Sequence, residues 1–365
     1  MRYDESMNKP AITVVIPNWN GIDLIRECLQ SLQKQTVTHS VIVVDNGSVD
    51  GSNVVVREEF PAMQLLEFPN NAGFAGGVNR GIKPALDQGA KYIVLFNNDA
   101  IADEHWLENL AASAGDHPEA GLITSKIRHF DDPRLDSTGD FYSTWAFPFP
   151  RGRDEVDTGQ YDTADHQVVF GASGGASLYR ADMLRQIGLF DERFFAYFED
   201  VDISFRAQLA GWKVRYEPRA VVRHHIGGTS SRIDDYDQEN EASTKITPTA
   251  DADRPSKFAR YHTVKNFHYI YAKNMPGLLY FKYLPLYWAS AAMMLVSDIR
   301  RGLLIEDLQA TLTALIHTPS ILRDRIGIQR QREVSVAYID SILYHGLPPL
   351  QMLRFRRLRK HNPAK

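Results

Sequence analysis

The residues best placed to do chemistry fall in three clusters. The first is Asp99, which closes the run KYIVLFNNDAIAD at Lys91–Asp103, with Asn97 and Asn98 beside it. A carboxylate at the end of an apolar strand can hold a hard divalent cation, Mg2+ or Mn2+, and the cation can hold phosphate oxygens. The bland alternative is a polar turn with Asp103 capping the next helix. The second cluster is Glu199-Asp200-Val201-Asp202, which follows five aromatics between Phe190 and Phe198 and opens a helical pattern over Ile203–Ala210. Three carboxylates so close repel one another, and a helix N-terminus offsets part of that. An Asp in an aromatic pocket suits a base of raised pKa, while the plainer reading makes Asp200 and Asp202 helix caps. The third is AVVRHHIGGTSS at Ala220–Ser231, an apolar strand ending in two histidines and two glycines. A histidine there, downstream of candidate carboxylates, suits a metal ligand. Gly174 and Gly175, in FGASGGAS, allow a close backbone approach to a ligand or simply a turn before a strand.

These residues need a scaffold, and the N-terminal half supplies one. Apolar runs at 11–16, 41–44 and Lys91–Phe96, and a weaker one at 63–68, read as strands. Helical segments over about 23–35, 51–59 and from after Gly77 to about 87 alternate with them. Asp50 is placed to cap the second helix, and Pro84 to distort or shorten the third. Continuous apolar strands between helices predict a doubly wound, mostly parallel α/β sheet buried on both faces. Ligands of such sheets sit outside the carboxyl ends of the strands. Here those ends carry Asn and Asp: Pro17-Asn18-Trp19-Asn20, Asp45-Asn46 and Asn97-Asn98-Asp99. No G-x-G-x-x-G follows the first strand and the chain has no G-x-x-x-x-G-K-[ST], so neither common phosphate loop applies. Residues 120–170 are mixed, Lys213–Tyr216 reads as a strand, and Gly211 is a helix stop.

The bulk numbers narrow the classes further. With 365 residues, 24% charged and a net charge of −4, the chain is no dedicated nucleic-acid binder. Its single cysteine, Cys28, excludes an internal disulfide and a multi-cysteine zinc site, and fits a small buried hydrophobe in a reducing compartment. The polar opening MRYDESMNKP lacks the apolar core of a secretory signal, so the cytoplasm is the expected location. Residues 232–257 read as a polar loop or lid. Phe258–Val296 is rich in aromatics with interspersed lysines and reads as buried or interfacial helices, and Gln351–Lys365 is a basic tail without acids. Together these suggest peripheral contact with the inner face of a membrane, or a platform for an acceptor or a second copy.

The motifs VVIPNWNG, VVDNGSVDGS, NNAGFAGGVNRGI, LFNNDA, FFAYFEDVDISFRAQLAGW and HIGGTS occur in this order. The series resembles the inverting glycosyltransferases of family 2, most closely their bacterial rhamnosyltransferase-like branch, over about residues 11–231. The resemblance implies a GT-A fold: a nucleotide-sugar half at about 11–115, an acceptor half at 116–231, and a helical region from 258 to 365. By position it implies that Pro17, Asn20 and Asp45 line the nucleoside pocket and that Asn71, Gly73, Asn98 and Asp99 border the donor. Lys265 would lie near the diphosphate. Asp99 and His225 would hold the cation, although Asn97 stands where many members have Asp. Asp200 would be the base, with Gly174, Gly175, Glu199 and Asp202 on the acceptor side. The implied reaction moves a sugar, for this branch rhamnose from dTDP, onto a hydroxyl of a glycan or lipid-linked acceptor. Two rival classes are a non-catalytic nucleotide-sugar or glycan binding module and a sugar-phosphate nucleotidylyltransferase. The latter would need an Arg-containing phosphate loop where PNWNG stands.

Overall fold

The computed structural model describes residues 11–225, 256–349 and 351–352. The expected lid at 232–257, apart from its last two residues, and the basic tail beyond Met352 lie outside them. The first half alternates β1 (Ile12–Asn18), α1 (Ile25–Gln33), β2 (Ser40–Asn46), α2 (Ser52–Glu59), β3 (Gln64–Phe68), α3 (Gly73–Asp87) and β4 (Tyr92–Phe96). The strands pair in parallel in the order β4-β1-β2-β3. Their apolar runs divide with period two between two cores. Val14, Val43 and Val94 pack on one face, and Val15, Val44 and Leu95 on the other. Asp50 accepts the Ser52 N–H at 3.0 Å at the start of α2, as its position suggested. Pro84 does not shorten α3, which runs through it to Asp87.

The second half joins β5 (Ala100–Ala102), α4 (Trp106–Asp116), β6 (Ala120–His129), β7 (Leu135–Ser137), β8 (Asp140–Tyr142), β9 (Pro148–Pro150) and β10 (Val168–Val169). It continues with β11 (Ala176–Arg180), α5 (Ala181–Ile187), α6 (Glu199–Leu209) and β12 (Lys213–His224). β11 inserts antiparallel between β4 and β6, which makes the sheet mixed. β12 was legible only as two pieces. It is one strand, parallel to β6, with an irregularity between Glu217 and Val221 that absorbs Pro218.

Beyond these come α7 (Lys257–Asn274), α8 (Gly277–Arg301), α9 (Leu304–Arg330) and α10 (Val336–Ile342). They do not stand apart from the sheet domain. Phe205 and Leu209 of α6 share one buried cluster with Phe267 and Ile270 of α7, Tyr283 of α8 and Ile321 of α9. Among the described residues, no helix is long and apolar enough to cross a membrane.

Candidate active site

A cleft of about 390 Å³ opens where the strand ends of the parallel half meet the start of α6. Its floor is a network of amides. Asn18, at the end of β1, donates through Nδ2 to Asp45 Oδ1 at 3.1 Å and to Ser52 Oγ at 2.9 Å. Its own Oδ1 accepts from Asn98 Nδ2 at 2.8 Å. Asn46, one strand over, donates to Asn71 Oδ1 at 2.9 Å and to the Gly73 carbonyl at 3.0 Å. Arg80 donates to Asn46 Oδ1 at 2.8 Å from the far side. Buried amides so fully paired are fixed in orientation and give the cleft rigid edges. Asn20 ties the turn after β1 to the turn after β2: its N–H donates to Ser48 Oγ at 2.9 Å and its Oδ1 accepts the Val49 N–H.

Asp99 is buried beside this floor. Its Oδ1 lies 3.0 Å from His224 Nε2, and His224 Nδ1 lies 3.0 Å from Asp136 Oδ2. Asp136 in turn pairs with Arg153 at 2.6 Å, and Arg153 lines the cleft. Burial works against a charge on His224, yet the hydrogen bonds from Asp136 and Asp99 carry its pKa up to about 10. The sequence pointed to the neighbouring histidine. The His225 ring stacks on Phe130 at 3.7 Å between centroids, and its backbone N–H reaches the Asp99 carbonyl at 2.9 Å. The imidazole on the Asp99 carboxylate is therefore that of His224.

Asp200 faces the cleft from the first turn of α6. Its Oδ2 accepts the Gly174 N–H at 3.0 Å and its Oδ1 the Val201 N–H at 2.8 Å. Burial raises its pKa, and those backbone donors oppose the rise. Asp140, at the start of β8, lines the same cleft. Burial first, and then the charge of Asp200, push Asp140 up to about 7. Burial also holds Glu199 well above the usual carboxylate range, with the charge of Asp200 adding to it.

The turn before α6 is strained. Phe195, Tyr197 and Phe198 have φ of 65°, 68° and 69°, a region that bulky residues rarely occupy. Asn266 of α7 holds it, donating to the carbonyls of Phe194, Ala196 and Tyr197 at 3.0, 2.8 and 2.6 Å. Lys265 Nζ donates to the Arg193 carbonyl at 2.8 Å, and burial lowers its pKa to about 8. From α3, the Ala75 N–H donates to the Phe195 carbonyl at 3.1 Å. Gly73, with φ +72°, makes this approach possible, since a Cβ there would sit 2.3 Å from that oxygen.

Of the residues singled out in the sequence, Pro17, Asn71, Gly73, Asn98, Gly174, Gly175, Glu199 and Asp200 line the cleft. Asn20, Asp45 and Asp99 stand behind that lining. Lys265 braces the strained turn rather than the cleft. Asp202 was expected on the acceptor side, but it is fully buried and turned toward α7. There it meets Lys273 Nζ at 2.9 Å, Asn274 Nδ2 at 2.8 Å and Arg206 Nε at 2.9 Å. Position in the chain explains this, since residues two apart on a helix point about 200° apart. Sequence reasoning missed Asn46, Asp136, Asp140, Arg153, His224 and Asn266 as site residues. Asn46 and His224 sat next to residues that were chosen. Asp136, Asp140 and Arg153 come from the mixed segment at 120–170, where no periodicity marks them.

The fold and sequence have known counterparts. The family model described as "Glycosyl transferase family 2" matches residues 13–188. The N-acetylglucosaminyl-diphospho-decaprenol L-rhamnosyltransferase of Mycobacterium tuberculosis is 31% identical over 218 residues, covering 53% of this chain and 68% of that protein. Among solved structures, a mannosyltransferase from Pyrobaculum calidifontis, in complex with GDP-Man and Mn2+, superposes with a TM-score of 0.52 at 17% identity. The match covers 92% of this chain and 88% of that one. S. aureus TarS 1-349, in complex with UDP-GlcNAc, gives 0.53 at 15% identity, covering 90% and 92%. The likeness to these two is one of fold.

Proposed function

The chain belongs to glycosyltransferase family 2, and on that premise we propose that it transfers a sugar from a nucleoside-diphosphate donor to an acceptor hydroxyl with inversion. The observation that carries the reading is the Asp200 carboxylate. It faces the cleft with both oxygens held by backbone N–H groups, across from the amide floor at the strand ends. In this reading the acceptor oxygen bonds to the anomeric carbon as the bond to the diphosphate breaks, and Asp200 takes the hydroxyl proton. Gly174 fixes the carboxylate in one orientation. Asn18, Asn46 and Asn98 keep the donor side rigid, so the reactants meet in a set geometry.

The residues present fit a shared divalent cation. Asp99 is a buried carboxylate at a strand end with an imidazole on it, and Mg2+ or Mn2+ takes its other ligands from water and phosphate. Among the described residues, no group of three His, Cys, Asp or Glu side chains forms a site closed by protein alone. Asp99 would hold the ion, which would neutralise the charge growing on the leaving diphosphate, while His224, with both ring nitrogens on carboxylates, would orient the Asp99 carboxylate. Arg153 and Asp136 set the orientation of His224. A leaving diphosphate needs no acid, unlike the leaving oxygen of a hydrolysed glycoside.

The named relative supports rhamnose as the sugar and a lipid-linked saccharide as the acceptor. The test is a screen of dTDP-rhamnose, UDP-N-acetylglucosamine and GDP-mannose with Mg2+ or Mn2+, reading released nucleoside diphosphate. We expect turnover of dTDP-rhamnose that EDTA abolishes. Release of nucleoside diphosphate from no donor, by transfer or by slow hydrolysis, would favour a binding module, and full activity in EDTA would remove the cation from the reading.

A further inference from the structure

We propose that α8 and α9 present an apolar, arginine-edged surface that docks onto the headgroup layer of an anionic lipid bilayer. A helix on a protein surface ordinarily turns its apolar stripe inward. These two turn it outward. On α8 the exposed stripe is Leu278, Phe281, Trp288, Val296 and Ile299, at spacings that keep one face. On α9, Ile305, Leu308, Leu312, Leu315 and Ile326 do the same. Leu278 is 79% exposed and Ile305 67%. The two helices join at the short turn at Gly302 and Leu303.

Polar groups of the same helices point inward. Ser290 Oγ donates to the Trp145 carbonyl at 2.7 Å, and Asp298 accepts from Arg260 Nε at 2.6 Å. Most of the large apolar side chains exposed among the described residues lie on this pair. Large apolar side chains exposed side by side in this way mark an interaction surface.

The edge of the surface selects the occupant. The acids of the two helices are paired with basic side chains of the fold: Asp298 and Asp307 with Arg260, Glu306 with Lys257 at 4.0 Å, and Asp324 with Arg193. Arg300, Arg323 and Arg330 stand exposed and form no ion pair among the described residues. An apolar ribbon with a cationic rim matches anionic headgroups over acyl chains. Two copies joined through the same face by a two-fold axis would bring like charges together instead. No described helix can cross a bilayer, so the contact lies in the plane of the surface. Phe258, at the start of α7, lines the cleft, and Tyr261 of α7 bonds Thr313 of α9 at 3.0 Å. The ribbon therefore lies about one helix diameter, ~10 Å, from the cleft wall. The docking stands independently of the transfer reading, and it would hold the cleft beside a lipid-linked acceptor.

Flotation of the full chain tests this, with vesicles of phosphatidylcholine and phosphatidylglycerol against phosphatidylcholine alone. The wild type should float with the anionic vesicles at low salt and less on the neutral ones. Leu308→Gln with Leu312→Gln should lower the bound fraction roughly tenfold or more, since two leucines no longer leave water. Both side chains are exposed, so the variant should melt like the wild type and hydrolyse donor like it. A wild type that stays unbound on anionic vesicles overturns the proposal. So does light scattering showing a dimer that the double variant splits while flotation is unchanged, because the face would then join two copies.

Discussion

Two carboxyl groups, Asp140 and Asp200, face one cleft; burial raises Asp200, and burial together with the charge of Asp200 raises Asp140. A base must be ionised to accept a proton, so a raised pKa moves the acid limb of activity upward. The pH profile of kcat/KM should fall on the acid side above the ordinary carboxylate range. Asp200→Asn keeps the shape and removes the basicity. Turnover should drop by roughly 10²–10⁴, with donor affinity held because the donor contacts lie on other strand ends. A folded Asp200→Asn of near-normal turnover would move the base to Asp140 or Glu199. For stability the sign is different. The folded state keeps a proton on Asp140 that the unfolded chain has released, so this contribution is present at low pH and lost as pH rises through about 7. At this scale the sequence was half legible. Successive residues of a strand face opposite ways, so only one of His224 and His225 can meet the Asp99 carboxylate. The register of β12 against β5, His224 opposite Ala100, decides which, and no local pattern reveals it.

α7 works as a clamp. Lys265 and Asn266 hold the strained turn, and two helical turns later Lys273 and Asn274 hold Asp202 on α6. Its inward face thus carries polar side chains among the aromatics, which is why an aromatic-rich composition gave its helical state and not its role. Lys273 also meets Asp191 at 2.7 Å. Burial works against the charge of Asp202, but Lys273 and Arg206 hold its pKa below the usual range. A depressed carboxylate contributes stability above its unfolded pKa and loses it as pH falls toward the folded one. Thermal melts of the wild type should therefore drop on acidification below about pH 4. Lys273→Met leaves a buried carboxylate short of a cation, which costs roughly 3–5 kcal/mol. Its melting temperature should fall at neutral pH and lie nearer the wild type's in acid. Equal melting of the two proteins at neutral pH would show that Arg206 and Asn274 alone suffice for Asp202.

At the scale of the molecule, the parallel half was legible because each strand is a continuous apolar run that stops at Asn or Asp. The mixed half was less so: β11 is only Ala176–Arg180, and its antiparallel place between β4 and β6 is a property of the sheet, not of the segment. The helical region from 258 onward was legible as such, but not that Phe205 and Leu209 of α6, the helix that carries Asp200, share one buried cluster with Phe267 and Ile270 of α7. An element whose burial depends on another cannot fold to the same state without it. The full chain should unfold in one transition, with helical circular dichroism and tryptophan fluorescence changing together. A chain cut after residue 231 would expose those aromatics and free the strained turn, since Asn266 would be gone. It should aggregate or lose donor hydrolysis by the same roughly 10²–10⁴ as the loss of the base, because Asp200 would no longer be held in place. A shortened chain that stays monomeric, melts cooperatively and turns over donor at the wild-type rate would show that the helices are a separable appendage, and that the geometry around Asp200 is set by the sheet domain alone.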